Sequence, residues 1–178
     1  MTLSQDLSRI MNLNKHIVAG PGQESVWDYP RPPRVEATSK RIRVMFGTLT
    51  IADSRRAFRV LETSHPPTYY LPPEDVWLDY LVAVEQRSLC EFKGMASHYS
   101  VSMGSRVSDC AAWYYPKPTR AFNAIKGYIA FYPNRVDACY VDDEKVRSQP
   151  GDFYGGWITS EIIGPFKAGP VRSQTAEN

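Results

Sequence analysis

Regular alternation of apolar and polar positions begins at Arg41-Ile42-Arg43-Val44-Met45-Phe46, where Ile42, Val44 and Phe46 fall on one face and the arginines on the other. That period of two is the pattern of a half-buried strand. Gly47 turns the chain, Thr48 to Ala52 reads as the hairpin partner, Asp53 to Arg56 as a second turn and Phe58 to Glu62 as a third strand, so a β-meander is the simplest account. The prolines flanking Tyr69-Tyr70 keep the next strand short and at an edge. Glu74 to Tyr80 gives a helical turn. Leu81 to Val84 and Ser88 to Phe92 lead to Gly94, a break before Ala96 to Met103, and Gly104-Ser105 makes a hairpin into Arg106 to Tyr115. Thr119 can cap a short helix through Ile125, and Tyr128 to Tyr132 with Arg135 to Val141 reads as a last hairpin across Pro133-Asn134.

The ends differ from this middle. Ser4 to Leu13 carries helical spacing behind Ser4 as a cap, and Trp27 to Arg34, rich in proline, is extended. After Val146 the chain becomes a glycine- and aromatic-studded arm, expected to lie on the domain surface, with a polar tail from Val171. The division is therefore a helical prelude over 1–26, a β domain over 27–147, and an extended arm and tail over 148–178.

Composition narrows the class. A chain of 178 residues with 43% hydrophobic and 22% charged positions suits one domain with its own core, and 14 prolines against 11 glycines favour turns over long helices. A net charge of +2 gives no reason to expect a nucleic-acid partner. The charge is uneven, however: Arg31, Arg34, Lys40, Arg41, Arg43, Arg55, Arg56 and Arg59 face only Glu36 and Asp53, which reads either as a basic edge for an anion or as a solvated strand face. Three cysteines without a Cys-x-x-Cys pair encode neither a disulfide framework nor a cysteine zinc site. With no leader pattern and no bilayer-length apolar run, the expectation is a cytoplasmic protein with no membrane partner.

Candidate chemistry gathers between Cys90 and Tyr132. Cys90 is the catalytic candidate, a thiol with Lys93 and His98 close in sequence and His65 as a further neighbour; the alternative is a small buried hydrophobe. Lys93 beside Gly94 could meet a carboxylate or phosphate where the backbone approaches closely, or could pair with Glu91 or Glu62. Trp77, Tyr99, Trp113, Tyr115, Tyr128 and Tyr132 could wall a cleft for a planar ligand or could be core. His65 and His98 stand without a carboxylate at ligand spacing, so no metal site is expected, and no motif names a cofactor.

Taken in order, Arg31-Pro-Pro-Arg34-Val35, Ile51-Ala52-Asp53-Ser54, Leu61 to Pro67, Cys90-x-x-Lys93-Gly94-x-Ala96, Trp113-x-Tyr115-Pro116 and Gly127-x-x-Ala130-Phe131-Tyr132 resemble the domain of unknown function 427 family, over roughly residues 30 to 145. The resemblance implies an all-β domain similar to the small Mss4-like β-tent folds, and it supplies no reaction. A nucleotidyltransferase-like label also attaches to the family. Such an enzyme needs metal-holding carboxylates and a phosphate cradle; here Asp142-Asp143-Glu144 has no glycine-rich loop beside it. Relatives of the tent-like fold hold zinc through paired cysteines or reduce methionine sulfoxide, whereas these cysteines are far apart in sequence.

Two readings follow. In the first, a small anionic or planar ligand sits among Cys90, Lys93, Gly94, His98, Tyr99, Trp113, Tyr115 and Tyr128 with His65 nearby and Arg34 or Arg55 at the mouth, in a binding module or an enzyme. In the second, an exposed edge strand and the arm from Phe153 to Phe166 mediate self-association or docking of a partner.

Overall fold

The computed structural model describes residues 17–170, so the helix expected over Ser4 to Leu13 lies outside the described residues. In chain order the strands are β1 (Glu24–Ser25), β2 (Arg34–Ala37), β3 (Ile42–Phe46), β4 (Leu49–Ser54), β5 (Phe58–Leu61), β6 (Thr68–Tyr70), β7 (Leu81–Cys90), β8 (Gly94–Met103), β9 (Arg106–Tyr114), β10 (Ile129–Phe131), β11 (Ala138–Val141), β12 (Glu144–Lys145), β13 (Arg147–Ser148), β14 (Trp157–Ile158) and β15 (Ile162–Ile163). The helical segments among the described residues are short 3-10 turns, and the protein is mostly β. The sheets run in the orders β10-β9-β8-β7, β12-β11-β3-β4 and β2-β5-β6, all antiparallel, with the small pairs β13-β14 and β1-β15 added by the arm.

The β3-β4 hairpin forms as the alternation predicts, with Ile42, Val44 and Phe46 fully buried. The meander stops there. The free edge of β4 is filled by the segment after Pro73: Trp77 N–H donates to the Ile51 carbonyl at 2.8 Å and Ala52 bridges Val76. Ser54 Oγ, which accepts from Arg56 N–H, donates to Asp75 at 2.6 Å and ties the same two pieces together. β5 therefore pairs with β2 and β6 instead. The last expected hairpin is also split. β10 joins β9 while β11 joins β3, and the turn Pro133–Arg135 carries the chain from one sheet to the other.

The β10-β9-β8-β7 sheet separates two packing regions. On one side Phe131, Ile129 and Val101 meet Ile42, Val44, Phe46 and Ile51 in the main apolar core. On the other, Ala130, Ala96, Trp113 and Tyr115 meet Val60, Tyr70, Phe122 and Ile125. The arm is part of this interior: Trp157 is fully buried in the main core, its Nε1–H donating to the Phe131 carbonyl at 3.0 Å. The surface position expected for the arm is thus replaced by a wedge between sheets.

Candidate ligand site

β7 ends at Cys90 and β8 begins at Gly94, whose φ of +103° is open to glycine and strained for any side chain. The intervening turn is pinned from outside: Thr119 N–H donates to the Lys93 carbonyl at 3.0 Å and Thr119 Oγ1 to the Phe92 carbonyl at 2.6 Å. Thr119 spends its hydroxyl on this turn, not on capping the Arg120–Ile125 segment as expected. The result fixes Lys93, whose ammonium lies 5.9 Å from the ring centres of both Tyr115 and Phe122.

Behind this turn opens a cavity of about 510 Å³. Its cations are Arg31, Lys93, Arg135 and Lys167, set against Glu62, Glu91 and Asp152, and its walls include Cys90, Tyr70, Trp113, Tyr115 and Tyr132. Arg31 pairs with Glu62 at 3.3 Å. Arg135 is consumed by backbone, donating to the carbonyls of Cys110 at 2.8 Å and Asp152 at 2.7 Å while lying 4.0 Å from the Tyr132 ring centre. Lys93 has no carboxylate within ion-pair distance among the described residues. Burial works against its charge, but the Tyr70 phenol and Cys90 thiol beside it, with Glu62 further off, outweigh that and hold the ammonium above its ordinary range. Tyr70 is fully buried and accepts from Trp113 Nε1–H at 3.3 Å; burial raises its pKa and that of Tyr115, so both stay neutral phenols.

The arm closes the opposite wall. Gln149, 2% exposed, accepts from Gly156 N–H through Oε1, which orients its amide so that Nε2 donates to the Lys167 carbonyl at 2.7 Å and to His65 Nδ1 at 3.0 Å. His65 must accept at Nδ1 and therefore carries its proton on Nε2, 3.9 Å from Glu62. Burial lowers the His65 pKa, Glu62 opposes this, and Lys167, Arg31 and Lys93 add to it. Tyr154 meets the His65 ring edge-on at 4.6 Å. Gly155 packs so close to Trp113 that any Cβ would collide with the indole. On the sheet side, His98 Nε2 is 2.9 Å from Ser88 Oγ, and its pKa is lowered by burial with Arg135 and Arg87.

Of the residues singled out from sequence, Cys90, Lys93, His98, Trp113, Tyr115, Tyr132 and His65 line this cavity. The others lie elsewhere. Gly94 faces the Lys117 carbonyl. Tyr99 stacks on Tyr114 at 4.8 Å, Tyr128 meets Phe58 at 5.5 Å, and Trp77 is exposed near Tyr80. Arg34 pairs with Glu36, and Arg55 is exposed; neither is in the lining, whereas Arg31 is. Most of the basic run is neutralised, Arg41 by Asp53, Arg56 by Asp75, and Arg59 by Glu24 and Glu36. Tyr70, Gln149, Arg135 and Lys167 were not anticipated. The Gly155-Gly156 pair was the available signal, since both glycines mark close backbone approach, Gly155 to Trp113 and Gly156 to Gln149 and Pro66.

The family model described as Domain of unknown function (DUF427) matches residues 34–142, more than half of the chain. The chain belongs to that family. The DUF427 region supplies Cys90, Lys93, Tyr70, His98, Trp113 and Tyr115, whereas Gln149, Tyr154 and Lys167 come from the arm beyond it. A comparison with curated proteins finds no match. Among the described residues no helix is long and apolar enough to cross a membrane, and no group of three or more His, Cys, Asp or Glu side chains is placed to hold a metal ion. The acidic trio is engaged in the fold: Asp142 accepts from Arg41 N–H, Asp143 pairs with Arg43 at 3.6 Å, and Glu144 accepts from Ser160.

Proposed function

We propose that this DUF427 protein binds a small anionic molecule with a planar or apolar part in the cavity behind the β7-β8 turn. The observation that carries the reading is Lys93, a half-buried ammonium between two aromatic rings with no carboxylate partner among the described residues. Withdrawing a charge from water without a counter-ion is costly, and a carboxylate or phosphate entering the cavity would supply one. Trp113, Tyr115 and Tyr132 provide ring faces and edges for the remainder of the ligand. The antiparallel sheets packed around the main core support a β-tent of the Mss4-like kind. All three cysteines are free thiols, which supports a reducing, cytoplasmic setting.

The test compares charge at constant shape. Benzoate and phenyl phosphate are expected to raise the melting temperature in a concentration-dependent way, as linkage requires, while neutral benzamide does not. Lys93→Met should abolish the difference. Equal shifts from benzoate and benzamide would defeat the reading.

A second reading, docking of a protein partner, draws on β7. It is an edge strand of 10 residues with Leu89 75% exposed and Val82 51% exposed. Against it, Arg87 Nη1 donates to the carbonyls of Val84 and Gln86 at 2.9 and 3.0 Å, covering acceptors that an added strand would use. A sedimentation measurement showing self-association that Leu89→Lys abolishes would favour it.

A further inference from the structure

Resting on the anion-site reading, we propose that Cys90 is the covalent acceptor of this cavity and that its substrate class is a small carbonyl acid, captured by addition of the thiol to the carbonyl carbon. Three observations converge on it. Cys90 at the end of β7 and Lys93 in the pinned turn that follows line the same cavity, so a carboxylate held by Lys93 brings its neighbouring atoms toward Sγ. Tyr70, fully buried, lines the same cavity and accepts a hydrogen bond from Trp113 Nε1–H, which leaves its own O–H as a donor. His98, 4% exposed and also in the lining, has a buried Nδ1 with no hydrogen-bond partner among the described residues.

These positions select the ligand. Because Cys90 and Lys93 flank one turn and line one cavity, an electrophilic carbon next to the anionic group suits both, and this points to a 2-oxo acid. No leaving group or electron acceptor is needed. The Sγ–H bond breaks, an Sγ–C bond forms, the carbonyl π pair moves to oxygen, and oxygen takes up a proton from Tyr70 as the thiol proton restores that phenol. The product is a hemithioketal, and the step reverses by the same route. The rings of Trp113, Tyr115 and Tyr132 leave room for an aromatic substituent beyond the carbonyl.

The experiment uses the full chain. Cys90 alkylation is followed by peptide mass mapping with iodoacetate and with iodoacetamide, each referenced to the urea-unfolded chain. Binding of pyruvate and of benzoylformate, both carbon-13 labelled at C2, is followed by NMR. The expected result is a preference for iodoacetate of roughly tenfold or more, as a site that concentrates anions gives, lost in Lys93→Met. With it comes a tetrahedral C2 resonance that disappears in Cys90→Ser. A Lys93-dependent preference without a tetrahedral resonance from either acid overturns the covalent proposal and leaves the anion site standing. Absence of any preference overturns the anion site itself. Circular dichroism of each variant verifies that the fold is retained, and benzoate protection of Cys90 in the unmodified chain gives a second measure of occupancy that needs no substitution.

Discussion

Phe131 and Ala130 are neighbours in β10 and face opposite sides of one sheet, and the two sides are built by different rules. Phe131 enters a core of aliphatic and aromatic side chains with Ile42, Val44, Phe46 and Trp157, where the buried indole N–H is satisfied by a backbone carbonyl. Ala130 faces Tyr70, Trp113 and Tyr115, with the Trp113 N–H donating to the Tyr70 hydroxyl, beside a cavity lined by two ammonium groups, a thiol and two imidazoles. The first side gains stability from packing. The second gives up packing for an opening, and local rules of burial are relaxed there in the way functional sites relax them.

Removing the arm should break both sides at once. Truncation after Val146 deletes Trp157 from the main core, Gln149 from the cavity wall and the partner of β1, so the expected outcome is an unfolded or molten chain, read by loss of near-ultraviolet circular dichroism. A truncated chain with a native spectrum would make the arm a separable strap. Within the dry side, Phe131→Ala should cost about 3–5 kcal/mol by denaturant unfolding, because a fully buried ring leaves a cavity that rigid sheets cannot close.

The proton balance of the cavity side gives a smaller effect. His65 and His98 both have pKa values lowered from the ordinary 6.5, chiefly by burial. His65 faces Glu62, Lys167, Arg31 and Lys93, and protonating its Nδ1 would end the bond from Gln149; His98 faces Arg135 and Arg87. Below about pH 6.5 the unfolded chain therefore binds protons that the folded chain refuses. The stabilisation is complete above that value and is lost as pH falls through the folded pKa values. The melting temperature should drop between about pH 7.5 and about pH 5.5, with the arm's amides near Gln149 gaining hydrogen exchange first. A flat profile would mean that both rings are solvated.

How much of this was legible in the sequence follows the same division. Period-two runs such as Ile42-x-Val44-x-Phe46 and the glycine turns at Gly47 and Gly104 prescribe hairpins locally, and those hairpins form. Which sheet a strand joins is decided by partners far along the chain. β5 left the meander because Trp77 and Val76 occupy the edge of β4, which no local pattern around Phe58 can announce. At the site, Cys90 at the end of β7, Lys93 in the β7-β8 turn, Trp113 in β9 and Tyr115 just after it line one cavity because hairpin pairing brings these elements together. Tyr99 faces the main core because it alternates with His98, so reading aromatics as one set overlooked the parity of the strand. Gln149, Arg135 and Lys167 reach the cavity through backbone hydrogen bonds over long separations, which residue type does not encode.

The smallest stability change should come from the residue that matters most to binding. Lys93→Met keeps the length and apolar stem of the side chain, leaves Thr119 bonded to the turn through backbone carbonyls, and removes a half-buried charge with no carboxylate partner among the described residues. Replacing a desolvated ion by an apolar isostere is neutral or favourable, so the unfolding free energy should change by less than about 1 kcal/mol or rise. If Lys93 were instead holding the turn or neutralising an interior anion, the same substitution would cost about 3–5 kcal/mol, the signature of a broken buried pair. Denaturant midpoints of the two proteins at equal slope separate these cases. A midpoint unchanged or raised, with benzoate binding lost, would mark Lys93 as a residue the fold carries for a ligand, in contrast to Phe131, which the fold carries for itself.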